Sequence, residues 1–345
     1  MEAVTETIDR LISIDLRPPG PFQGVIPRLY EAARAAVGEP LTLAAARRLR
    51  DAASPGRRVF IATGHVHPVV LPYGETDGPP GAAILARAIR LGLGAEVVLL
   101  CEPAVVEVLR RTCRAAGLGV GDSACNPSGQ PGAPRSVSIV PFPVDSTEAA
   151  QKAHELLDRG DVAAVITIEK IGPNRVGVYH TGPGSDVSDS LAKIDLLVAE
   201  ASRAGVLTIG VGDLGNEIGF GLIEDTVREL VPRANKCQCP CGQGTACAVP
   251  VDCLVVAGVS NWGAYGIASA LGVLTSRPDL IHTADIEREM IFECCRGGAV
   301  DGLSTGPTFE VDGQSWATHG NLVDLLRALV TTAVTERKFE RVDRW

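Results

Sequence analysis

Six runs of apolar, largely β-branched residues recur along the chain with almost no polar alternation inside them. They are 58–63 (RVFIAT), 95–100 (AEVVLL), 137–141 (VSIVP), 162–168 (VAAVITI), 205–209 (GVLTI) and 253–259 (CLVVAGV). Runs of this kind mark strands buried on both faces, as in a parallel sheet covered by helices on its two sides. Between them fall stretches with a helical period, at 81–91, 103–116, 146–158, 187–204, 264–274, 284–296 and 321–334. The alternation predicts an α/β fold with a doubly wound, mostly parallel sheet and helices on both faces. Ahead of the first strand, residues 3–52 hold two or three helical stretches split by LRPPGPFQG, whose prolines and glycines break a helix. The expected organisation is an N-terminal helical extension over 1–55 and an α/β domain over 56–345 that carries the chemistry. By composition 121–134 (GDSACNPSGQPGAP) is a surface loop, and 301–320 (DGLSTGPTFEVDGQSWATHG) reads as a short hairpin leading into the last helix.

Composition narrows the function. The 345 residues are 46% hydrophobic, 21% charged and 4% aromatic, which fits a globular chain able to bury a sizeable core. With 32 basic against 41 acidic residues the formal charge is −9, and no basic run with interleaved aromatics occurs, so neither nucleic acid nor an anionic membrane is an expected partner. No stretch approaches the roughly 18 apolar residues of a membrane span. The start, MEAVTETIDRLISIDLR, is acidic and amphipathic, unlike a secretory signal. The cytoplasm is therefore the default address, with the mitochondrial matrix the alternative for a eukaryotic chain with a targeting segment outside this sequence. Apolar helices such as 264–274 leave a homo-oligomer open. Of ten cysteines, six lie apart and several sit inside apolar runs, as reduced core thiols do. The other four, Cys237, Cys239, Cys241 and Cys247, crowd into CQCPCGQGTAC. Structural zinc on these four stays open against a glycine-rich loop with incidental thiols. C-x-C-x-C is not the usual ligand spacing, because alternate residues of an extended strand face opposite ways.

Unusual polar residues follow one strand after another. After 58–63 come His65, His67, Glu75, Thr76 and Asp77; after 162–168 come Glu169, Lys170, Asn174, Arg175, Tyr179 and His180. After 205–209 the segment GVGDLGNEIGFG, residues 210–221, sets Asp213, Gly215, Asn216 and Glu217 among glycines; after 253–259 come Ser260, Asn261 and Trp262. Ligands of open parallel sheets lie outside the carboxyl ends of the strands, so four loops point to one crevice. Glycine allows close backbone approach, and the amides of 210–221 are expected to surround a small polar ligand. A carboxylate after a buried strand costs several kcal/mol unless a cation or metal pairs with it. GVGDLG matches the dinucleotide fingerprint only superficially, falling late in the chain with no clear helix start behind it, and no GxSxG is present.

ETDGPPGAAILARAI, EKIGPNRVGVYH, GVGDLGNEIGFG and VVAGVSNWGAYGIASAL, in that order, resemble the marked segments of the D-glutamate cyclase family, specifically its D-glutamate cyclase-like C-terminal domain. The resemblance runs from about Asp15 to near the C-terminus. It implies a hydro-lyase that interconverts D-glutamate and 5-oxo-D-proline plus water, or a relative acting on a similar amino acid or lactam. Hydrolysis, racemisation and non-catalytic small-ligand binding remain alternatives on the same crevice.

Cyclisation sets the residues three tasks: a base for the amine, positive charge for the carboxylate, and an acid for departing water. Glu169 or Glu217 fits the base and His180 the acid, while Lys170 and Arg175 fit the substrate carboxylates of a small anionic amino acid or lactam. Asp213 completes the expected catalytic group. His65, Thr76, Asp77, Asn174, Gly215, Asn216, Ser260 and Asn261 are the expected contacts beside Arg175. Alternatively Asp77, Asp213 and Glu217 hold a hard divalent cation, Mg or Mn, acting as Lewis acid on the γ-carboxyl group.

Overall fold

The computed structural model describes residues 1–121 and 135–335. Beyond Gly121, the loop expected at 121–134 lies outside them. Three helices open the chain: α1 (Glu2–Ile12), α2 (Val25–Val37) and α3 (Leu41–Ala52). Then come β1 (Arg58–Thr63), α4 (Pro79–Gly92), β2 (Glu96–Cys101), α5 (Val106–Ala115), β3 (Gly119–Gly121), β4 (Ser136–Pro141) and α6 (Ser146–Leu157). The second half holds β5 (Val162–Ile168), α7 (Ile194–Arg203), β6 (Leu207–Gly212), α8 (Glu224–Leu230), β7 (Cys253–Val256), α9 (Ser260–Thr275) and α10 (Ala284–Arg296). A hairpin, β8 (Glu310–Val311) and β9 (Gln314–Ser315), precedes α11 (Trp316–Val334).

Seven strands form one sheet in the order β3-β4-β2-β1-β5-β6-β7, and every neighbouring pair is parallel. Each of the six apolar runs supplies one of its strands, with 205–206 before β6 and 257–259 after β7 lying outside it. Strands β1 and β5 are buried along their whole length, as unbroken hydrophobicity requires of central strands. The unpredicted strand, β3, is three residues at the sheet edge with the sequence GVG, too short and too polar in context to register as a run.

Helices cover both faces of the sheet. The N-terminal helices fold onto it, α2 and α3 against β7 and α1 against α9 and α11. Buried Asp9 fastens this arrangement, accepting hydrogen bonds from the amides of Leu41 and Thr42 at 2.6 and 3.1 Å and from Tyr30 Oη at 3.2 Å. Helix α9 is buried from Ser260 to Gly272, so the apolar surface of 264–274 is used inside the chain. The helix expected over 187–204 begins only at Ile194; the residues before it form a short 3-10 turn, where Lys193 Nζ is held by the carbonyls of Ser188 and Leu191.

Candidate active site

Strand β1 is the switch point of the sheet: the chain first builds outward to β2, β4 and β3, then returns to lay β5, β6 and β7 on the other side. The carboxyl ends of β1 and β5 thus diverge into different connections and leave a crevice. A cavity of about 300 Å³ opens there. His65 enters it from just past β1, Glu169 from directly after β5, and Asp213 from directly after β6. Glu75, Asn216, Asp312 and Arg17 complete the polar lining, while Pro18, Pro19, Pro21, Phe22 and Leu303 form an apolar wall.

Helices α4 and α9 begin beneath this cavity and cap each other. Asp77, before α4, accepts the amides of Ser260 and Asn261 at 2.8 Å each, at the start of α9. Asn261, in α9, returns its Oδ1 to the amides of Gly78 and Gly81 at 3.0 and 2.7 Å and donates Nδ2 to Thr76 O at 3.1 Å. Each side chain satisfies orphan amides of the other helix, so the two positive helix ends converge below the carboxylates. Gly81 makes the approach possible: a Cβ there would lie 2.9 Å from Asn261 Cα. Ser260 Oγ donates to Glu169 Oε2 at 2.6 Å. Glu169 itself has φ +46°, a left-handed conformation that costs a non-glycine residue about 1–3 kcal/mol and clusters at functional sites.

In 210–221 the amides of Asp213, Leu214 and Gly215 do not face outward to a ligand; they hold Glu217, at 2.8, 2.9 and 2.7 Å. The nest expected for a substrate is filled by the loop's own carboxylate. That turn needs Gly215, with φ +92° and Val227 only 2.4 Å from where its Cβ would be. Asn216 Nδ2 donates to His180 O at 2.9 Å.

The N-terminal segment supplies the cation. Asp15 accepts the amides of Arg17 and Gly24, and Leu16 O receives Gln314 Nε2 at 3.1 Å, which ties LRPPGPFQG across the cavity mouth. Arg17 Nη2 then pairs with Asp213 Oδ2 at 2.6 Å. Two buried polar atoms of the lining, Arg17 Nη1 and His65 Nε2, have no hydrogen-bond partner among the described residues. The other ring nitrogen of His65, Nδ1, lies 2.7 Å from Glu75 Oε1.

Burial dominates the electrostatics. It pushes Asp213 up to about 7, with Arg17 pulling down, and Glu75 up to about 8, helped by Asp301 and Glu217. Burial and Asp213 push Glu217 up to about 8 against its amide donors. Glu169 and Asp77 are raised well above the carboxylate range by burial and then by Asp213, and Asp312 by burial and then by Asp77. Burial and Lys170 lower His65 to about 4, so its imidazole is neutral near pH 7. So many carboxyl groups in one enclosure must share protons or gain cations.

Donor atoms from three sets approach within 4.8 Å of one another around the cavity: His65, Glu75 and Glu169; Asp77, Asp213 and Asp312; Glu169, Asp213 and Glu217. Carboxylate-rich donors of this kind suit a hard divalent cation, Mg or Mn. In place of one trio of Asp77, Asp213 and Glu217, the structure divides these residues between two sets that share Asp213.

The remaining expected residues stand elsewhere. Lys170 is fully buried under the cavity, paired with Glu102 and donating to Gly64 O at 2.8 Å. Arg175, with a half-exposed side chain, faces Glu224 at 2.6 Å and Asp225 at 3.1 Å. Asn174 organises its own loop, accepting the amides of Val176 and Val178 and donating to Gly244 O at 2.8 Å. Thr76 Oγ1 donates to Glu310 O at 2.7 Å and thereby holds the hairpin. His180 Nε2 lies 3.1 Å from Cys239 Sγ, away from the cavity lining. The cysteine group also needs correction: Cys237, Cys239 and Cys241 cluster with His180, whereas Cys247 is buried apart, its Sγ accepting from the Val249 amide at 3.4 Å.

Sequence reasoning missed Arg17, which sits among helix breakers, and Asp312. The signal for Asp312 was its Asp-Gly turn: Asp312 and Gly313 both have positive φ, as a two-residue hairpin requires, and the turn delivers the carboxyl group to the site.

A doubly wound α/β protein with a carboxylate-lined cavity at its switch point has the kind of crevice in which such sheets bind small molecules. The chain belongs to the D-glutamate cyclase-like C-terminal family, whose model matches residues 31–327. It is 31% identical over 231 residues to the human protein named D-glutamate cyclase, mitochondrial, an alignment covering 65% of this chain and 34% of that relative. The chain thus spans about a third of the length of the curated relative it matches. Among the described residues no helix is long and apolar enough to cross a membrane.

Proposed function

We propose that this chain is a hydro-lyase of the D-glutamate cyclase type, interconverting D-glutamate and 5-oxo-D-proline plus water in the cavity at the β1/β5 switch point. The observation that carries the reading is the pair of unpartnered buried atoms, Arg17 Nη1 and His65 Nε2, facing one cavity ringed by carboxyl groups. Family membership supplies the reaction class.

Cyclisation needs no net proton. The ammonium loses two protons on becoming an amide nitrogen, and the departing carboxylate oxygen leaves with two as water. The site must therefore move protons across a short distance. Arg17 binds one substrate carboxylate through Nη1. Glu169, in the carboxylate form that accepts the Ser260 hydroxyl, takes a proton from the amine so that its lone pair can attack the γ-carbon. The His65–Glu75 dyad handles the second proton. With Nδ1–H donated to Glu75, Nε2 accepts; with Glu75 protonated against Nδ1, Nε2–H donates. Asp213 shares Arg17 and orients it. A divalent cation held by Glu169 and Asp213 with their neighbours would supply Lewis-acid polarisation of the γ-carboxyl group.

Incubation with D-glutamate, or with 5-oxo-D-proline in 18O-labelled water, in buffer containing Mg or Mn, followed by chiral separation and mass analysis, tests the reading. Turnover of the D-enantiomers with one labelled oxygen entering the γ-carboxyl group is expected. No turnover in either direction, with either ion, would remove it.

A further inference from the structure

Outside the cavity, four metal-binding side chains converge from two loops. His180 Nε2 stands 3.1 Å from Cys239 Sγ and 3.7 Å from Cys241 Sγ. The three sulfurs form a triangle with edges of 3.5 Å (Cys237 to Cys239), 3.3 Å (Cys237 to Cys241) and 3.2 Å (Cys239 to Cys241). We propose that His180, Cys237, Cys239 and Cys241 form a closed, tetrahedral Cys3His zinc site that pins the rim of the cavity.

Spacing, donor chemistry and closure agree. Zinc bonds of about 2.3 Å to sulfur and about 2.0 Å to nitrogen, set tetrahedrally, separate the ligands by roughly 3.6–3.8 Å, close to the edges seen here. A disulfide needs sulfurs at about 2.05 Å, and three thiols cannot all pair with one another. An iron–sulfur cluster sits between its cysteines and holds their sulfurs much farther apart. Thiolate and imidazole donors select zinc over the hard cations suited to the carboxylate cavity. Four protein ligands leave no open position, so the site is structural and not a second reaction centre.

The C-x-C-x-C spacing works because the segment is not extended. Pro240 and Gly242, the latter with φ +61°, bend it, and the Gly242 amide closes a turn on Cys239 O at 3.2 Å. Alternate thiols consequently swing to one side. Asn174 supports the shell, with Nδ2 on Gly244 O at 2.8 Å and 3.6 Å from Cys241 Sγ. The site reaches the cavity through His180: its carbonyl takes Asn216 Nδ2, and Gly182 and Pro183, two and three residues on, form part of the wall.

Metal analysis of the full chain, purified without chelator, tests the assignment. About one tightly held zinc per chain is expected in the wild type and in Cys247→Ser, falling below about a tenth in Cys239→Ser and His180→Ala. Wild-type protein produced in cobalt-supplemented medium should show thiolate-to-cobalt charge transfer and the intense visible bands of tetrahedral cobalt, a readout independent of whether any variant folds. In Cys239→Ser, amide exchange at residues 181–184 should speed up while Cys247→Ser leaves it unchanged. Wild-type protein without zinc that takes up no tetrahedral cobalt overturns the proposal. So does zinc lost from Cys247→Ser but kept in His180→Ala, or a Cys237–Cys241 disulfide in the native chain. None of these readouts depends on turnover, so they stand or fall apart from the cyclase reading.

Discussion

At the residue scale the chain separates charges that line the cavity from charges paired away from it. Arg17 lines the cavity with a free Nη1, so Arg17→Gln removes a charge-assisted contact worth about 1.5–3 kcal/mol and should raise KM roughly 10- to 100-fold. Steady-state kinetics with D-glutamate checks this, alongside Arg175→Ala, whose partners Glu224 and Asp225 lie outside the cavity lining and whose KM should stay within about twofold. Glu169→Gln and Asp213→Asn should each lower kcat by about 10²–10⁴; the melting temperature should change little in Glu169→Gln and fall in Asp213→Asn, which leaves buried Arg17 without its paired carboxylate. Near-normal rates in both would remove them from the chemistry. Lys170→Met strands buried Glu102 and should cost about 3–5 kcal/mol by urea titration. Adding Glu102→Leu should restore much of that loss, because the uncompensated charge goes with it.

At the element scale the reciprocal caps of α4 and α9 join two helices far apart in the chain. Asn261→Ala frees the amides of Gly78 and Gly81 and the Thr76 carbonyl inside a buried layer, and should destabilise by about 1–3 kcal/mol. Gly81→Ala forces Cβ against the Asn261 backbone and should cost a similar amount by overpacking. In a thermodynamic cycle the two changes should couple, since both act on one contact; strictly additive losses would show that the helices are fastened elsewhere. The hairpin shows the same division of labour: β8 and β9 are short and weak alone, and Thr76 and Asp301 fasten them so that Asp312 reaches the cavity.

At the scale of the whole molecule the clustered carboxyl groups make stability depend on pH and cations. Glu75, Asp213 and Glu217 are raised to about 8, 7 and 8, so the folded state binds more protons than the unfolded chain above about pH 4.5. Their contribution is fully present below the unfolded values and is lost as pH rises through 7 to 8. His65 works the other way, lowered to about 4, and its contribution is lost as pH falls from 6.5 towards 4. Of these four groups, only the carboxyls still change with pH above 6.5. The melting temperature of protein dialysed free of Mg and Mn should therefore fall between pH 6.5 and 8.5, and millimolar Mn should recover it most at the high end, replacing protons with metal. A flat profile, or equal stabilisation by Mn at both ends, would show that these groups are not desolvated together.

How much of this was legible follows from the range of the forces involved. The strands after which His65, Glu169 and Asp213 project were readable because burial on both faces writes itself locally as unbroken hydrophobic runs, and the parallel order of such strands sends their carboxyl ends to one side. What those residues touch was not readable. Lys170 and Arg175 carry the same charge in one loop, yet one is sealed against Glu102 and the other turned to Glu224, because each contact depends on side chains brought from distant segments. Asn261 looked like a substrate contact and caps another helix; the amides of 210–221 looked free and hold Glu217. Local pattern alone determined the sheet apart from its edge strand β3, most of its covering helices and the strand ends that meet at the crevice. Folding decided that Arg17 closes the cavity, that Asp312 enters it, and that His180 rather than Cys247 joins the three thiols. Charge pairing and ligand geometry are set by distances of a few ångströms between residues that the chain itself separates by tens or hundreds of positions.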